Sequence, residues 1–245
     1  MNEMMIGGFL SAVSTGIGAL PVLLFKKLSH RHMDILLALT AGIMVAASVY
    51  GLMPTALKLS NLFVLCCGVL LGVASLSVLE EYLPHVDIEH SKSGVIHLLD
   101  SKSFLLVVAM SLHNLPEGLS IGVSYASQVE GLGNVVALSI GLQNAPEGLL
   151  IALFLTNQGL RRLTAIGLAV FTGSIEWFAC ILGSHLTSSF SKLIPYGLAF
   201  AAGAMLFIVY KELIPETHGH GHEKAATFSF IVGLLMMVCL LVWFG

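Results

Sequence analysis

Charged side chains are scarce in this sequence. Asp, Glu, Lys and Arg make up only 10% of the 245 residues, whereas they account for about 25% of a soluble globular domain. Hydrophobic residues supply 56% of the chain, and the sequence lacks the basic patch that recognition of nucleic acid requires. The scarcity of charge excludes a soluble domain and predicts a protein that crosses the lipid bilayer several times.

Cysteine is also sparse. The four cysteines lie within apolar stretches, and none belongs to a CxxC motif: Cys66, Cys67, Cys180 and Cys239. Thiols in such positions pack as small hydrophobic side chains. We therefore expect neither a disulfide framework nor a thiolate metal site.

Long apolar runs separate the few charges. Each run is about 20 to 25 residues long, which is enough for a helix to cross about 30 Å of hydrocarbon. We predict an all-α polytopic membrane protein that forms a single domain over residues 1–245. Its eight spans are expected near 4–25, 34–56, 61–83, 103–126, 133–156, 163–187, 193–214 and 225–244.

The eleven Lys and Arg residues are distributed unequally over the two sides of these spans. Only Lys58 and Lys192 lie on one side, and the other nine lie in or beside the loops 26–33, 84–102, 157–162 and 215–224. Because Lys and Arg are enriched in cytoplasmic loops, the side with nine is predicted to face the cytoplasm. We expect a protein of the cytoplasmic membrane with both termini outside.

A polar motif occurs twice inside the apolar runs. HNLPEG occupies residues 113–118 in the fourth span, and QNAPEG occupies residues 143–148 in the fifth, at an offset of 30. An ionisable side chain in a membrane span costs several kcal/mol, so it usually serves a function. The Pro in each copy has no N–H and is expected to loosen its helix one turn back.

The sequence also contains an inverted repeat. Consecutive spans run in opposite directions, so the two motif copies are inverted relative to each other. Residues 41–54 match residues 202–215 at a constant offset of 161, sharing Ala, Gly, Met, Leu and Pro. We infer a 3+2+3 inverted-repeat arrangement of the eight spans, which is typical of secondary transporters.

The residue types at the middle of the membrane favour a bound cation. His113 and Glu117 are four residues apart and project from one face of their helix, as do Gln143 and Glu147. Glu117, Glu147 and Glu176 lie near the midpoints of their spans, and no Lys or Arg lies in the core of any span. Buried carboxylates without a basic counter-ion need a cation or protonation. Imidazole and carboxylate ligands suit zinc, iron or manganese.

The His-Asn-x-Pro-Glu-Gly motif with a partner in the next span resembles the ZIP family of divalent metal transporters, and the resemblance extends over the whole chain. It implies metal uptake toward the cytoplasm, with Zn²⁺ as the usual cargo and Fe²⁺, Mn²⁺ or Cd²⁺ as alternatives under a broader specificity. It also implies alternating access, in which spans one, four, five and six move against the others, and a homodimer in the lipid bilayer.

The resemblance further implies a binuclear metal centre. The first site would consist of His113, Glu117, Gln143 and Glu147. The second site would consist of Asn114, Asn144 and Glu176, with the glutamates of the two PEG sequences bridging both.

Two positions depart from the family pattern. Many members have His where this chain has Gln143, and many bacterial members have Glu where this chain has Gly51. An amide oxygen binds such metals more weakly than an imidazole does, so we expect a weaker or differently tuned first site. The change at Gly51 removes an acid that could recruit metal on the outer side.

Histidines and acids also gather in two predicted cytoplasmic loops, and an alternating His-x-His-x-His run is a candidate metal site. The candidate exit or regulatory residues are Glu80, His85, Glu212, Glu216, His218, His220 and His222.

Two other function classes compete with metal transport. An intramembrane metalloenzyme would often carry an H-E-x-x-H zinc motif, which this sequence lacks. A proton-coupled carrier of an organic solute would use the glutamates as proton sites, but His113 opposite Gln143 and the loop histidines favour a metal. We therefore expect a transporter rather than an enzyme.

Overall fold

The computed structural model describes residues 2–24, 29–81 and 101–244, and all regular secondary structure in these ranges is helical. Eight helices in these ranges are long and apolar enough to cross a membrane. The predicted all-α, eight-span fold class is confirmed. In chain order the spans are Asn2–Leu23, His30–Leu59, Leu62–Leu79, Leu106–Ala126, Leu132–Asn157, Arg162–Thr187, Ser191–Glu216 and Glu223–Phe244.

The two prolines of the polar motif do not interrupt their helices. Pro116 lies inside the α-helix Ser101–Ala126, and Pro146 lies inside the α-helix Leu132–Asn157. Each helix is thus continuous through its proline, although the proline donates no hydrogen bond to the carbonyl four residues earlier, and the loosening of the preceding turn stays a prediction.

The helical irregularities lie instead in the second and seventh spans. The second span contains a π-helical segment, Ala47–Leu52, and the seventh contains another, Val209–Leu213. Each segment ends just before a proline, Pro54 or Pro215, which cannot donate to the carbonyl four residues earlier. The two π-helical segments lie within the residues that match at an offset of 161.

The described helices pack as two groups. In one group the first span packs along the fifth and sixth, and the fourth packs along the sixth. In the other group the second span packs along the eighth, and the third packs along the seventh. The polar motifs lie in the first group, and the π-helical segments lie in the second.

Close glycine contacts show the inverted repeat in three dimensions. A Cβ added at Gly42 would lie 2.1 Å from the carbonyl oxygen of Phe230, and one added at Gly203 would lie 2.2 Å from that of Val69. Both glycines and both carbonyls are related by the offset of 161. The same offset relates a second set of contacts, also at 2.2 Å, namely Gly72 with Phe200 and Gly233 with Leu39. The second–eighth helix pair therefore repeats the third–seventh pair.

Candidate metal centre

The glycines of the two PEG sequences bring the central helices close to their neighbours. A Cβ at Gly118 would lie 2.0 Å from the carbonyl oxygen of Glu176, and one at Gly148 would lie 1.9 Å from that of Thr15. Thr15 and Glu176 are again 161 residues apart. Small residues at such crossings let helix backbones approach closely. The polar residues one turn away are thereby held together.

His113, Glu117 and Glu147 form a compact cluster between the fourth and fifth spans. The Nε2 atom of His113 lies 3.7 Å from one carboxylate oxygen of Glu117 and 3.7 Å from one of Glu147. All three side chains are buried. Two ligand atoms of one tetrahedral zinc ion, at bonds of about 2.0–2.1 Å, are separated by ~3.3 Å. The cluster therefore needs only small side-chain adjustments to hold a metal ion.

Gln143 joins this cluster through a hydrogen bond from its Nε2 atom to Oε1 of Glu117. Its own carbonyl oxygen, Oε1, is buried and has no hydrogen-bond partner among the described residues. The amide therefore orients a carboxylate and leaves an oxygen ligand for a cation.

Glu176 is held next to this cluster by two donors from other spans. The hydroxyl group of Ser11 donates to Oε1 of Glu176 at 2.6 Å, and Nδ2 of Asn144 donates to Oε2 at 2.5 Å. Asn144 also donates to the backbone oxygen of Ser11 at 3.1 Å. Like Gln143, Asn144 has a buried carbonyl oxygen without a partner among the described residues. Both amides thus donate to a glutamate and leave their oxygen atoms available.

Asn114 is buried beside His113 in the sequence, and its Nδ2 atom lacks a hydrogen-bond partner in the described part of the chain. Among the hydrogen bonds of the described residues, none joins Asn114 to Asn144 or Glu176. Unpartnered buried polar atoms are costly. The same condition holds for both ring nitrogens of His113 and for one carboxylate oxygen each of Glu117 and Glu147. A cation coordinated by the imidazole nitrogen and the carboxylate oxygens would satisfy those acceptor atoms, whereas the Nδ2 atom of Asn114 needs a hydrogen-bond acceptor.

The cluster is almost fully buried, and one of its members contacts a partly exposed acid. His113 and Glu147 keep 3% and 4% exposure, whereas Glu117, Gln143, Asn144 and Glu176 have none. The Nδ1 atom of His113 lies 3.9 Å from a carboxylate oxygen of Glu212, whose side chain is 48% exposed. Glu212 belongs to the π-helical segment of the seventh span. It links the buried cluster to the end of the bundle that carries residues 215–222.

The candidate exit residues do not form one cluster. Among the described residues, three side chains that could share a metal ion come together only at His113, Glu117 and Glu147. His218 contacts the carbonyl oxygen of Ile214 at 2.8 Å, and His220 contacts Asp34 at 3.0 Å. Glu216 and His222 are partly buried near the same loop. Of the remaining candidates, the side chain of Glu80 and all of His85 lie outside what the structure describes.

Gly51 does not face the metal centre. It is buried in the π-helical segment of the second span, and a Cβ there would meet Leu241 of the eighth span at 3.6 Å. The distance is that of an ordinary van der Waals contact, so an added Cβ would pack against the Leu241 side chain.

The sequence did not indicate the role of Ser11. It is one of several small polar residues in the first span, and such residues more often pack helices than orient ligands. Its contact with Glu176 joins residues 165 positions apart, which no local pattern predicts.

The fold and the site together define a class. The chain is a multi-pass helical membrane protein with a buried cluster of carboxylates, an imidazole and amides near the middle of its spans. Such a set of oxygen and nitrogen ligands suits a divalent metal ion.

Comparison with known proteins gives the family. A family model described as "ZIP Zinc transporter" matches residues 81–241. The zinc transporter GufA of Myxococcus xanthus is 36% identical over 98% of this chain and 98% of its own length. The zinc transporter ZIPB of Bordetella bronchiseptica is 34% identical over 96% of this chain and 79% of its own length. Zinc transporter ZIP11 of Homo sapiens is 34% identical over 58% of this chain and 43% of its own length. The chain belongs to the ZIP zinc transporter family.

Proposed function

We propose that this protein carries divalent metal ions, with zinc as the main cargo, across the cytoplasmic membrane into the cell. The carrying observation is the buried cluster of His113, Glu117 and Glu147, which supplies one imidazole and two carboxylates within reach of one ion. The family relationship and the names of the relatives support zinc. The same ligands also suit iron, manganese and cadmium, which we retain as alternative cargo.

We further propose that the centre holds two ions. His113, Glu117, Gln143 and Glu147 would bind the first ion. Asn114, Asn144 and Glu176 would bind the second, with Glu117 and Glu147 shared. Support comes from the oxygen atoms of Gln143 and Asn144, which are buried without partners among the described residues. The hydrogen bond from Asn144 to Glu176, which brings two of the three ligands of the second set into contact, also supports this proposal.

We propose alternating access between the two groups of helices. The ligands lie in the group of spans one, four, five and six, whereas Glu212 belongs to the other group. The contact between His113 and Glu212 crosses the boundary between the groups. Movement of one group against the other would make and break this contact. Glu212 would then receive the ion on its way to the predicted cytoplasmic side. The homodimer stays a prediction.

An enzymatic role has little support from the site. Residues 118–122, GLSIG, match the spacing of a G-x-S-x-G nucleophile motif, but that motif requires a sharp strand-to-helix turn. Ser120 lies in the middle of an α-helix and donates to the carbonyl oxygen of Glu117 at 2.7 Å. The relatives compared above are all named as transporters.

Zinc uptake into vesicles reconstituted with purified protein tests the proposal. Glu117→Ala and His113→Ala remove ligands of the central cluster, and we expect each to abolish uptake while the protein still purifies as a folded species. Glu130→Ala and His32→Ala change exposed residues of the same types and should transport normally. Normal uptake by both central variants would refute the proposal, and parallel assays with iron, manganese and cadmium would rank the cargo.

A further inference from the structure

A second group of potential metal ligands lies away from the central cluster, at the end of the bundle that carries residues 217–222. Asp34 is near the start of the second span and is only 1% exposed. One of its carboxylate oxygens lies 3.0 Å from Nδ1 of His220, and the other is buried without a hydrogen-bond partner among the described residues. A buried carboxylate with an unused oxygen is costly unless something cationic joins it.

The backbone conformation of the loop between the seventh and eighth spans holds His220 next to this carboxylate. Gly219 and Gly221 flank His220 and have φ angles of +99° and +79°, which glycine adopts without steric cost. Their N–H groups both donate to Oε1 of Glu223 at 3.2 Å. The loop is therefore fixed from both sides of His220. In the described part of the chain, Asp34 makes its hydrogen bond with His220, whereas His218 contacts the carbonyl oxygen of Ile214.

A third potential ligand stands beside this pair. His30 is four residues before Asp34 on the same helix, so the two side chains share a face. The rings of His30 and His220 are stacked, with centroids 4.7 Å apart and planes inclined by 30°. The hydroxyl group of Ser229 donates to the carbonyl oxygen of Ile35 at 2.7 Å and holds the eighth span against this turn.

We propose that Asp34, His220 and His30 form a binding site for a divalent transition metal that is separate from the central cluster. The 3.0 Å separation of the Asp34 oxygen and the His220 nitrogen is close to the ~3.3 Å between two ligands of one tetrahedral zinc ion. As the side chains stand, the ligand atoms of Asp34, His220 and His30 are not all within reach of one ion. Rotation of the exposed His30 ring away from the His220 ring would supply the second imidazole. Two imidazoles, one carboxylate and a water molecule complete a four-coordinate site.

Binding of an ion there would tie the loop between the seventh and eighth spans to the second span. The ligands approach from two parts of the chain separated by 186 residues, Asp34 and His220. The loop begins at Thr217, after the short helix Ile214–Glu216 that follows the π-helical segment with Glu212, and Glu212 contacts the central cluster. The site is therefore placed to bind ions that accumulate on this side of the membrane.

The test counts zinc ions bound per chain by equilibrium dialysis of the purified full-length protein in detergent. We expect the Asp34→Asn and His220→Gln variants each to bind one zinc ion fewer per chain. His30→Gln should lower the affinity for that ion by about tenfold or more. His32→Gln, which changes an exposed histidine on the same turn of helix, should lose none. His220 lies in a loop, so its variant reports on the site even if Asp34→Asn fails to fold.

A variant of the central cluster separates this inference from the proposed function. The Glu117→Gln variant should lose a different zinc ion. The double variant of Glu117→Gln and His220→Gln should therefore lose as many ions per chain as the two single variants together. The inference is wrong if the His220→Gln variant and a folded Asp34→Asn variant each bind as many ions as the unchanged protein. Asp34 and His220 would then form only a hydrogen bond that holds the loop. That result would leave the central centre unaffected. Conversely, full binding by Glu117→Gln would count against the proposed function alone.

Discussion

Gln143 is the residue that most distinguishes the two halves of the central site. It occupies the position of His113 in the second motif copy, 30 residues later. It donates to Glu117 and leaves its carbonyl oxygen free among the described residues. An imidazole at this position would be a stronger ligand for zinc than an amide oxygen.

Gln143→His should therefore tighten zinc binding at the first site. We expect an increase in affinity of about tenfold, equivalent to ~1.4 kcal/mol, because a neutral imidazole replaces an amide oxygen. The cost is loss of the amide donor to Glu117. Isothermal titration calorimetry with zinc measures the change, and uptake assays would show whether tighter binding slows release. Unchanged affinity in a folded variant would mean that residue 143 does not ligate the ion.

Ser11 provides a second test at the scale of one residue. Ser11→Ala removes the hydroxyl group that donates to Glu176 at 2.6 Å, so the carboxylate would lose one of the two bonds that orient it. Residues that orient metal ligands typically affect metal affinity by about ten- to a hundredfold. We expect a loss in this range by zinc titration. Ser14→Ala is the matched control, because Ser14 donates only to Leu10 of its own helix in the described contacts. Equal effects of the two variants would contradict the role of Ser11.

At the scale of helices, the close approach of neighbouring helix backbones explains why a glycine follows the glutamate in each PEG sequence. The central helices cross the first and sixth spans where no Cβ fits, at Gly118 and Gly148. The prolines just before them do not interrupt the helices, while Pro54 and Pro215 coincide with π-helical segments. The same residue type therefore has different effects in different spans. A π-helical segment changes the direction of the following side chains, and Glu212 lies within one.

Gly118→Ala and Gly148→Ala should destabilise the packed helices. The added Cβ atoms would lie 2.0 and 1.9 Å from backbone oxygens, so the helices would have to separate. Overpacking of this kind costs about 1–3 kcal/mol or more. We expect a lower midpoint of thermal unfolding in detergent, together with reduced uptake.

Gly167→Ala supplies the control for these variants. Gly167 lies in the sixth span and has nothing within 4 Å of an added Cβ. Alanine favours a helix over glycine by up to ~1 kcal/mol, so this variant should unfold at the same temperature or a higher one. A similar loss of stability in all three variants would show that the close crossings are not the cause.

At the scale of the whole molecule, the pseudo-symmetry and the charge distribution fix different properties. The offset of 161 relates glycine–carbonyl contacts in one half to those in the other, and so defines the relation between the halves. It does not say which side faces the cytoplasm. That direction is predicted only by the nine-to-two distribution of Lys and Arg.

Cysteine labelling in intact cells tests this orientation. Cys66, Cys67, Cys180 and Cys239 would first be replaced by alanine, and single cysteines would then be introduced at exposed positions. We expect Ser191→Cys to react with a membrane-impermeant maleimide from outside. Asn157→Cys should react only after permeabilisation, because its loop belongs to the side rich in Lys and Arg. The reverse pattern would invert the predicted topology and the proposed direction of transport.

The sequence by itself determined the all-helical class, the eight spans and the two polar motifs, because hydropathy, span length and helical spacing are local properties of the chain. It also placed His113, Glu117 and Glu147 together, since spacing of four within a helix and an inverted copy in the next span define a common face. Only the tertiary structure decided which distant residues complete the site. Ser11 with Glu176, His113 with Glu212 and Asp34 with His220 join residues 165, 99 and 186 positions apart. These contacts depend on how helices cross, and the crossings follow from glycine–carbonyl packing that no local pattern specifies.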